Sequence, residues 1–195
     1  MCCIQCARCL GGLLVPLMLL GILTNALLCF PSMTLLEFDQ ITDEVTYFGG
    51  IIGLGIIMFF PAYALLSMKE GKTKKCCGWE ICGARYWMFN SMVYAVLGVV
   101  GASYGVGLAW TAIKKGPKCD IGDNRWDYPF HEWDYLTDRN LWTRCKRPVG
   151  IVSWNLSIFS IQLAIGSAQL AICVIQVVNG LLGTVFGQWK LEDFC

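Results

Sequence analysis

The sequence has few charged residues and no excess of either sign. Asp, Glu, Lys and Arg make up 15% of its 195 residues, against about 25% in a typical soluble domain. So little polar surface does not suit a water-soluble domain of this length. The formal net charge of +1 provides no basic excess to neutralise phosphates, so nucleic acid is not an expected partner.

Motifs for catalysis are also absent from the sequence. His131 is its one histidine, and no nucleophilic Cys or Ser motif accompanies it. No glycine-rich phosphate loop, zinc-protease motif or nucleophile elbow occurs. We therefore expect a protein without enzymatic activity, catalytic residues, a metal or a cofactor.

The sequence does contain four long apolar runs without any acid or base. Crossing the hydrocarbon core takes about 20 residues of helix, which predicts spans at about 10–30, 47–68, 87–113 and 156–187. The first run exceeds the apolar part of a signal peptide, which has roughly 7–15 residues. The sequence thus predicts a single-domain, all-α membrane protein that forms a four-helix transmembrane bundle.

The charges that flank these runs predict their orientation. Arg8 precedes the first span, whereas residues 31–46 contain four acids and no base. The positive-inside rule places the N-terminus in the cytosol, together with the C-terminus and loop 69–86. Loop 114–155 is then extracellular, although its many basic residues argue for the opposite orientation. We follow the charges around the first span, because the first span usually determines the orientation.

The cysteines divide between the two predicted faces. Cys119 and Cys145 are alone in the large loop between helices three and four, which predicts a disulfide contributing roughly 3–4 kcal/mol, with free thiols as the alternative. The predicted cytosolic cysteines next to the spans are candidates for palmitoylation; zinc ligation, a redox pair and inert thiols stay open. These candidates are Cys2, Cys3, Cys6, Cys9, Cys76, Cys77 and Cys82.

Amide side chains recur every seven residues along the fourth span, as Asn155, Gln162, Gln169 and Gln176. A repeat of seven places them along one stripe of a helix, where amides hydrogen-bond to neighbouring helices. The alternative is a polar pocket or path for a small molecule or lipid. Asn155 also begins an Asn-Leu-Ser sequon, which predicts a possible glycan.

Aromatic side chains are dense in the large loop. An exposed aromatic cluster is typical of a protein interface, but a loop of about 40 residues also needs a small core of its own. We keep both interpretations for Trp126, Tyr128, Phe130, Trp133, Tyr135 and Trp142. Small-residue pairs such as Gly49/Gly53 and Gly101/Gly105 predict close helix packing, inside the bundle or in a homo-oligomer.

Several short motifs occur in order along the chain: Cys-Ala-Arg-Cys at 6–9, Cys-Cys-Gly at 76–78, Gly-Pro-Lys-Cys at 116–119, Tyr-Pro-Phe at 128–130 and Trp-Asn-Leu-Ser at 154–157. Together they resemble the transmembrane 4 L six family of tetraspanin-like membrane proteins. The resemblance runs along nearly the whole chain. It implies a plasma-membrane protein that acts in adhesion, migration and growth control, in contact with membrane lipids, integrins and receptors.

Overall fold

The computed structural model describes residues 4–30, 42–68, 80–122, 124–130 and 134–186, without the side chains of residues 4–6, 80–85 and 186. In chain order the elements are α1 Ile4–Leu28, α2 Asp43–Thr46, a π-helix Gly49–Ile56, α3 Ile57–Leu66, α4 Glu80–Lys115, β1 Cys119–Asp120, β2 Trp126–Asp127, α5 Asp134–Thr137, a 3₁₀ helix Arg139–Arg144 and α6 Ile151–Phe186.

Four of the described segments are long and apolar enough to cross a membrane: Ala7–Leu28, Asp43–Leu66, Tyr86–Lys115 and Ile151–Val185. A disulfide joins Cys119 and Cys145 between the third and fourth. The predicted fold class is therefore confirmed. Helices α4 and α6 have 36 residues each, or about 54 Å of helix, so both extend well beyond a core of about 30 Å.

Helices α4 and α6 pack closely because small residues face bulky ones. A Cβ at Gly98 would lie 2.6 Å from Cys173 Sγ, and one at Gly166 would lie 2.7 Å from Val106 Cγ2. Such close contacts replace the hydrophobic driving force that is missing between helices in lipid. They also fix the register of the antiparallel pair, with Gly166 level with Val106.

The second span contains a π-helix, which was not predicted from the sequence. Four of its eight residues are glycines, and they bring three backbones together. A Cβ at Gly53 would lie 2.7 Å from the carbonyl oxygen of Gly101, and one at Gly50 would lie 2.6 Å from that of Gly21. The wide helix therefore fits between α1 and α4 only because it carries almost no side-chain bulk on those faces.

Four apolar clusters follow one another along the molecule. Leu14 and Leu65 belong to one near the start of α1, Met58 and Cys173 to one at mid-bundle, and Leu28 to one near the end of α1. The fourth lies inside the loop. The large loop thus has its own packing and continues directly from the end of the bundle.

Candidate functional site

The amide stripe of α6 faces the inside of the bundle. Gln162 is 3% exposed, Gln169 is 0% exposed and Gln176 is 2% exposed. Such burial is costly for an amide unless it finds a partner. The amide stripe therefore does not face lipid.

Two of these glutamines join α6 to its neighbours. Gln169 Nε2 donates to the carbonyl oxygen of Leu54 in the π-helix at 3.0 Å, and Gln176 Nε2 lies 3.2 Å from Ser91 Oγ on α4. The Ser91 hydroxyl in turn donates to the carbonyl oxygen of Met88. These contacts connect three spans through polar groups, which supports the interpretation of the stripe as interhelical hydrogen bonding.

Some polar atoms of the stripe have no partner among the described residues. They are Gln162 Nε2, Gln169 Oε1 and Gln176 Oε1, with Asn25 Oδ1 on α1. Asn25 and Gln162 meet beside Gly50, because a Cβ there would lie 2.7 Å from both Asn25 Cβ and Gln162 Nε2. Two buried amides from α1 and α6 thus meet at this corner beside the π-helix.

Asn155 lies at the loop end of the stripe and is also buried. It is 5% exposed, and its Nδ2 lies 3.3 Å from the carbonyl oxygen of Ile151 in the same helix. Glycosylation at Asn155 stays a prediction, and in this conformation its amide faces the protein interior.

The large loop folds around the disulfide and two aromatic rings. Cys119, Phe130 and Tyr135 are buried against the first turn of α6, and the rings of Phe130 and Tyr135 lie 4.9 Å apart. The Tyr135 hydroxyl donates to the carbonyl oxygen of Ile113 at the end of α4. Burial raises the pKa of Tyr135 to about 12, so this hydroxyl keeps its proton at physiological pH.

The predicted contact residues of the loop therefore separate into different environments. Phe130 and Tyr135 belong to the core of the loop and cannot serve as surface contacts in this conformation. Trp142 is half-buried and donates its Nε1 hydrogen to the carbonyl oxygen of Tyr135 at 2.7 Å. Trp126 is also half-buried, and Trp133 lies outside the described residues.

Tyr128 attaches the loop to the short helix α2. Its hydroxyl oxygen accepts a hydrogen bond from the backbone N–H of Asp43 at 3.0 Å, and Lys115 Nζ lies 3.7 Å from its ring centroid. The same ammonium is 3.3 Å from Glu44 Oε1 and 3.6 Å from Asp43 Oδ2. Burial raises the pKa of Tyr128 to about 12.

This contact was not predicted from the sequence, although its signal is there. Asp43 and Glu44 precede the second span, and Lys114 and Lys115 end the third. Both segments lie at the same end of a four-span bundle, where opposite charges attract each other. The positive-inside rule disfavours basic residues at that end, and the attraction to Asp43 and Glu44 explains why Lys115 is there.

Most palmitoylation candidates lie where the structure does not describe side chains. Cys9 is described and is exposed on the first turns of α1. The side chains of Cys2, Cys3, Cys6, Cys76, Cys77 and Cys82 lie outside the described residues. Within the described ranges, no three His, Cys, Asp or Glu side chains are grouped to hold a metal ion.

Comparison with known proteins agrees with the motifs and the topology. The model of the L6 membrane protein family matches residues 1–190. The chain belongs to this family. It is 48% identical to human Transmembrane 4 L6 family member 4 over 188 residues, which are 96% of this chain and 93% of that protein; the rat protein gives the same values.

A more distant relative extends the comparison. The chain is 39% identical to human Transmembrane 4 L6 family member 1 over 191 residues, or 96% of this chain and 95% of that protein. No solved structure matches the chain. The protein is thus a multi-pass membrane protein of a tetraspanin-like family.

Proposed function

We propose that this protein is a non-enzymatic organiser of the plasma membrane that binds other membrane proteins through its large loop. Integrins and receptors in adhesion, migration or growth signalling are the partners that the family resemblance suggests. The observation that carries the proposal is the loop itself. It is a disulfide-tied cap with a core around Tyr135 and two attachments to the bundle, at Ile113 and Asp43.

A cap of this kind supports binding because its surface is held rigidly. A preorganised surface loses little conformational entropy when a partner docks. The two tyrosine attachments fix the cap relative to the spans, so a partner held by the cap is also oriented relative to the membrane. Homo-oligomers are a possible form of the same association.

The proposed topology has both termini in the cytosol and the large loop outside the cell. The disulfide supports it, since disulfides persist in oxidising compartments. The cysteines at 2–9 and 76–82 would then be in the cytosol, where palmitoylation would tune which lipids and proteins gather around the bundle. Labelling intact cells with an impermeant maleimide tests this, because only the loop thiols should react, and only after mild reduction.

Site-specific crosslinking in intact cells tests the function. A photo-crosslinking residue at Leu136, which is exposed on the loop, should capture an integrin or receptor subunit. The same residue at Val100, which is 60% exposed in the middle of α4, is the matched lipid-facing control. Equal capture from both positions, or none from Leu136, would contradict binding through the loop.

The second candidate is a binding or transport protein for a small molecule or lipid at the amide stripe. The observation in its favour is the set of unpartnered amide atoms on Gln162, Gln169 and Gln176. Gln169→Leu separates the two candidates. Loss of ligand binding by a folded variant supports the site, whereas normal partner crosslinking with unchanged ligand binding supports the organiser.

A further inference from the structure

The last part of the large loop is strongly basic. Residues 139–147 contain three arginines and one lysine and no acid. Arg144, Lys146 and Arg147 are exposed, as is Arg125 on the turn before β2. We call these four side chains the basic surface.

Backbone hydrogen bonds bring the two parts of the basic surface together. Asp120 of β1 donates its N–H to the carbonyl oxygen of Arg147 at 3.0 Å, and Lys146 donates its N–H to the carbonyl oxygen of Asp120 at 2.9 Å. On the other side, Arg125 donates its N–H to the carbonyl oxygen of Gly122. The Lys146 ammonium lies over Gly122, 3.0 Å from where a Cβ would be. Arg125 and Lys146 thus flank the same glycine.

Three described carboxylates near the basic surface accept hydrogen bonds from backbone N–H groups. Asp120 Oδ1 accepts from the N–H of Gly122 at 2.8 Å, and Asp127 Oδ1 accepts from the N–H of Tyr128 at 2.8 Å. Asp138 Oδ1 accepts from the N–H of Asn140. Among residues 42–68, 80–122, 124–130 and 134–186, no carboxylate forms a salt bridge with the basic surface. All four cations are exposed to solvent, and Arg144 also donates to the carbonyl oxygen of Pro129 at 3.3 Å.

The register of α4 and α6 gives the height of this surface above the membrane. Gly166 packs at the level of Val106, so Trp110 is about level with Gln162. Trp110 is 52% exposed, as expected of an indole at the membrane interface. Helix α6 begins at Ile151, 11 residues from Gln162 or about 16 Å along the axis.

This height favours a partner in water over a lipid. The headgroup layer of one leaflet is only about 5 to 8 Å thick, and the basic surface lies on the loop past the ends of both helices, at Lys115 and Ile151. A polyanion outside the membrane can contact several of these exposed cations at once. Arginine suits such a partner because its guanidinium binds planar or tetrahedral anions through paired N–H groups.

We propose that the basic surface binds a sulfated polysaccharide of the cell surface, of the glycosaminoglycan class. This inference rests on the extracellular position of the loop in the proposed function. Sulfate groups repeated along a flexible chain complement a group of exposed cations. Such binding would hold the protein near the pericellular matrix and keep its loop close to glycan-bearing partners.

The test uses the full-length protein in nanodiscs of uncharged lipid, with immobilised heparin as the probe. Binding should weaken as salt is raised, because salt screens exposed charges, and should be lost with desulfated heparin. Replacing Arg144, Lys146 and Arg147 together by Gln should weaken binding about tenfold. Lys146→Gln alone should weaken it about twofold, while the matched change Lys72→Gln, in the loop 69–86 on the opposite side of the membrane in the proposed topology, should leave it unchanged.

The outcomes separate this inference from its alternatives. Equal heparin binding by the triple variant, or none by the native protein, overturns it. Stronger competition by phosphatidylserine vesicles than by heparin also overturns it and assigns the surface to lipid. Resistance of the loop thiols to maleimide before reduction shows that each variant is folded. If heparin binding fails while crosslinking from Leu136 succeeds, only this inference is lost and the proposed function stands.

Discussion

The bundle and the large loop are held together by different means. In the bundle, close helix packing at Gly53 and Gly98 and buried amides such as Gln169 connect apolar helices. In the loop, a disulfide joins two cysteines that are 26 residues apart in sequence and packs beside a core with two aromatic rings. One region has no covalent crosslink among its described residues, whereas the other folds around one.

The difference follows from the solvent of each region. Lipid cannot hydrogen-bond to a backbone, so the bundle consists of helices that satisfy their own polar groups. Water competes for every polar group of the loop, and a segment this small buries too little apolar surface to be stable alone. The loop therefore depends on its disulfide and on its contact with the end of α4. The helices of the bundle need no covalent crosslink.

The largest expected effect comes from removing the disulfide. Replacing Cys119 and Cys145 together by Ser should cost the loop about 3.5 kcal/mol in the chain-entropy model. Hydrogen exchange in nanodiscs should then show fast exchange in the loop and unchanged protection in α4 and α6. The control is Cys9→Ser, at an exposed free thiol. If the spans lose protection as well, the two regions are not independent.

Gly53→Ala should produce the next largest effect, and in the bundle. The added Cβ would lie 2.7 Å from the carbonyl oxygen of Gly101, which is backbone and cannot rotate away. Such overpacking costs about 1–3 kcal/mol, and unfolding in SDS mixtures should measure it. Gly107→Ala is the matched control, since nothing lies within 4 Å of a Cβ there. Equal stability of the two variants would show that the contact between α4 and the π-helix is not tight.

These two regions also differ in how far the sequence predicts them. Runs without charge and an isolated pair of cysteines predict the four spans and the disulfide, because membrane thickness and redox compartment each leave few choices. The π-helix at 49–56 was not predicted, since four glycines in eight residues suit several backbone geometries. Its form depends on the helices that approach it, which one sequence does not show.

The site was predicted only in part, for a similar reason. The period of seven predicts that Gln162, Gln169 and Gln176 share one face, but their partners Leu54 and Ser91 depend on tertiary packing. In the loop, composition identifies the aromatic residues without ranking them by burial. Tyr135 is buried in the core of the loop because it lies between the disulfide and the end of α4, whereas Trp126 is only half-buried.

Tyr135→Phe should have a moderate effect at the junction of the two regions. The variant keeps the ring and loses the hydrogen bond to Ile113, which should cost about 1 kcal/mol. Because burial raises the pKa of Tyr135 to about 12, the native state holds this proton more tightly than the unfolded state. Its contribution is therefore complete below about pH 10 and is lost as the pH rises toward 12.

Loop protection measured against pH checks this effect. The native loop should lose protection as the pH rises from about 10 to about 12. Tyr135→Phe should lose less protection over this range, because it has no hydroxyl to ionise. Tyr47→Phe is the matched control, since the Tyr47 side chain is 57% exposed just after α2. An unchanged pH profile in Tyr135→Phe would contradict the role of this hydroxyl.

The smallest effect is expected from Gln176→Leu inside the bundle. The change removes the contact with Ser91 and also an amide oxygen that has no partner among the described residues. Hydrogen bonds between membrane helices average only about 0.6 kcal/mol, so SDS unfolding should shift less than for Gly53→Ala. A larger loss than that of Gly53→Ala would mean that polar contacts, and not close packing at glycines, hold the bundle together. The bundle and the loop would then both be held by polar contacts, and the disulfide of the loop would be the remaining difference between them.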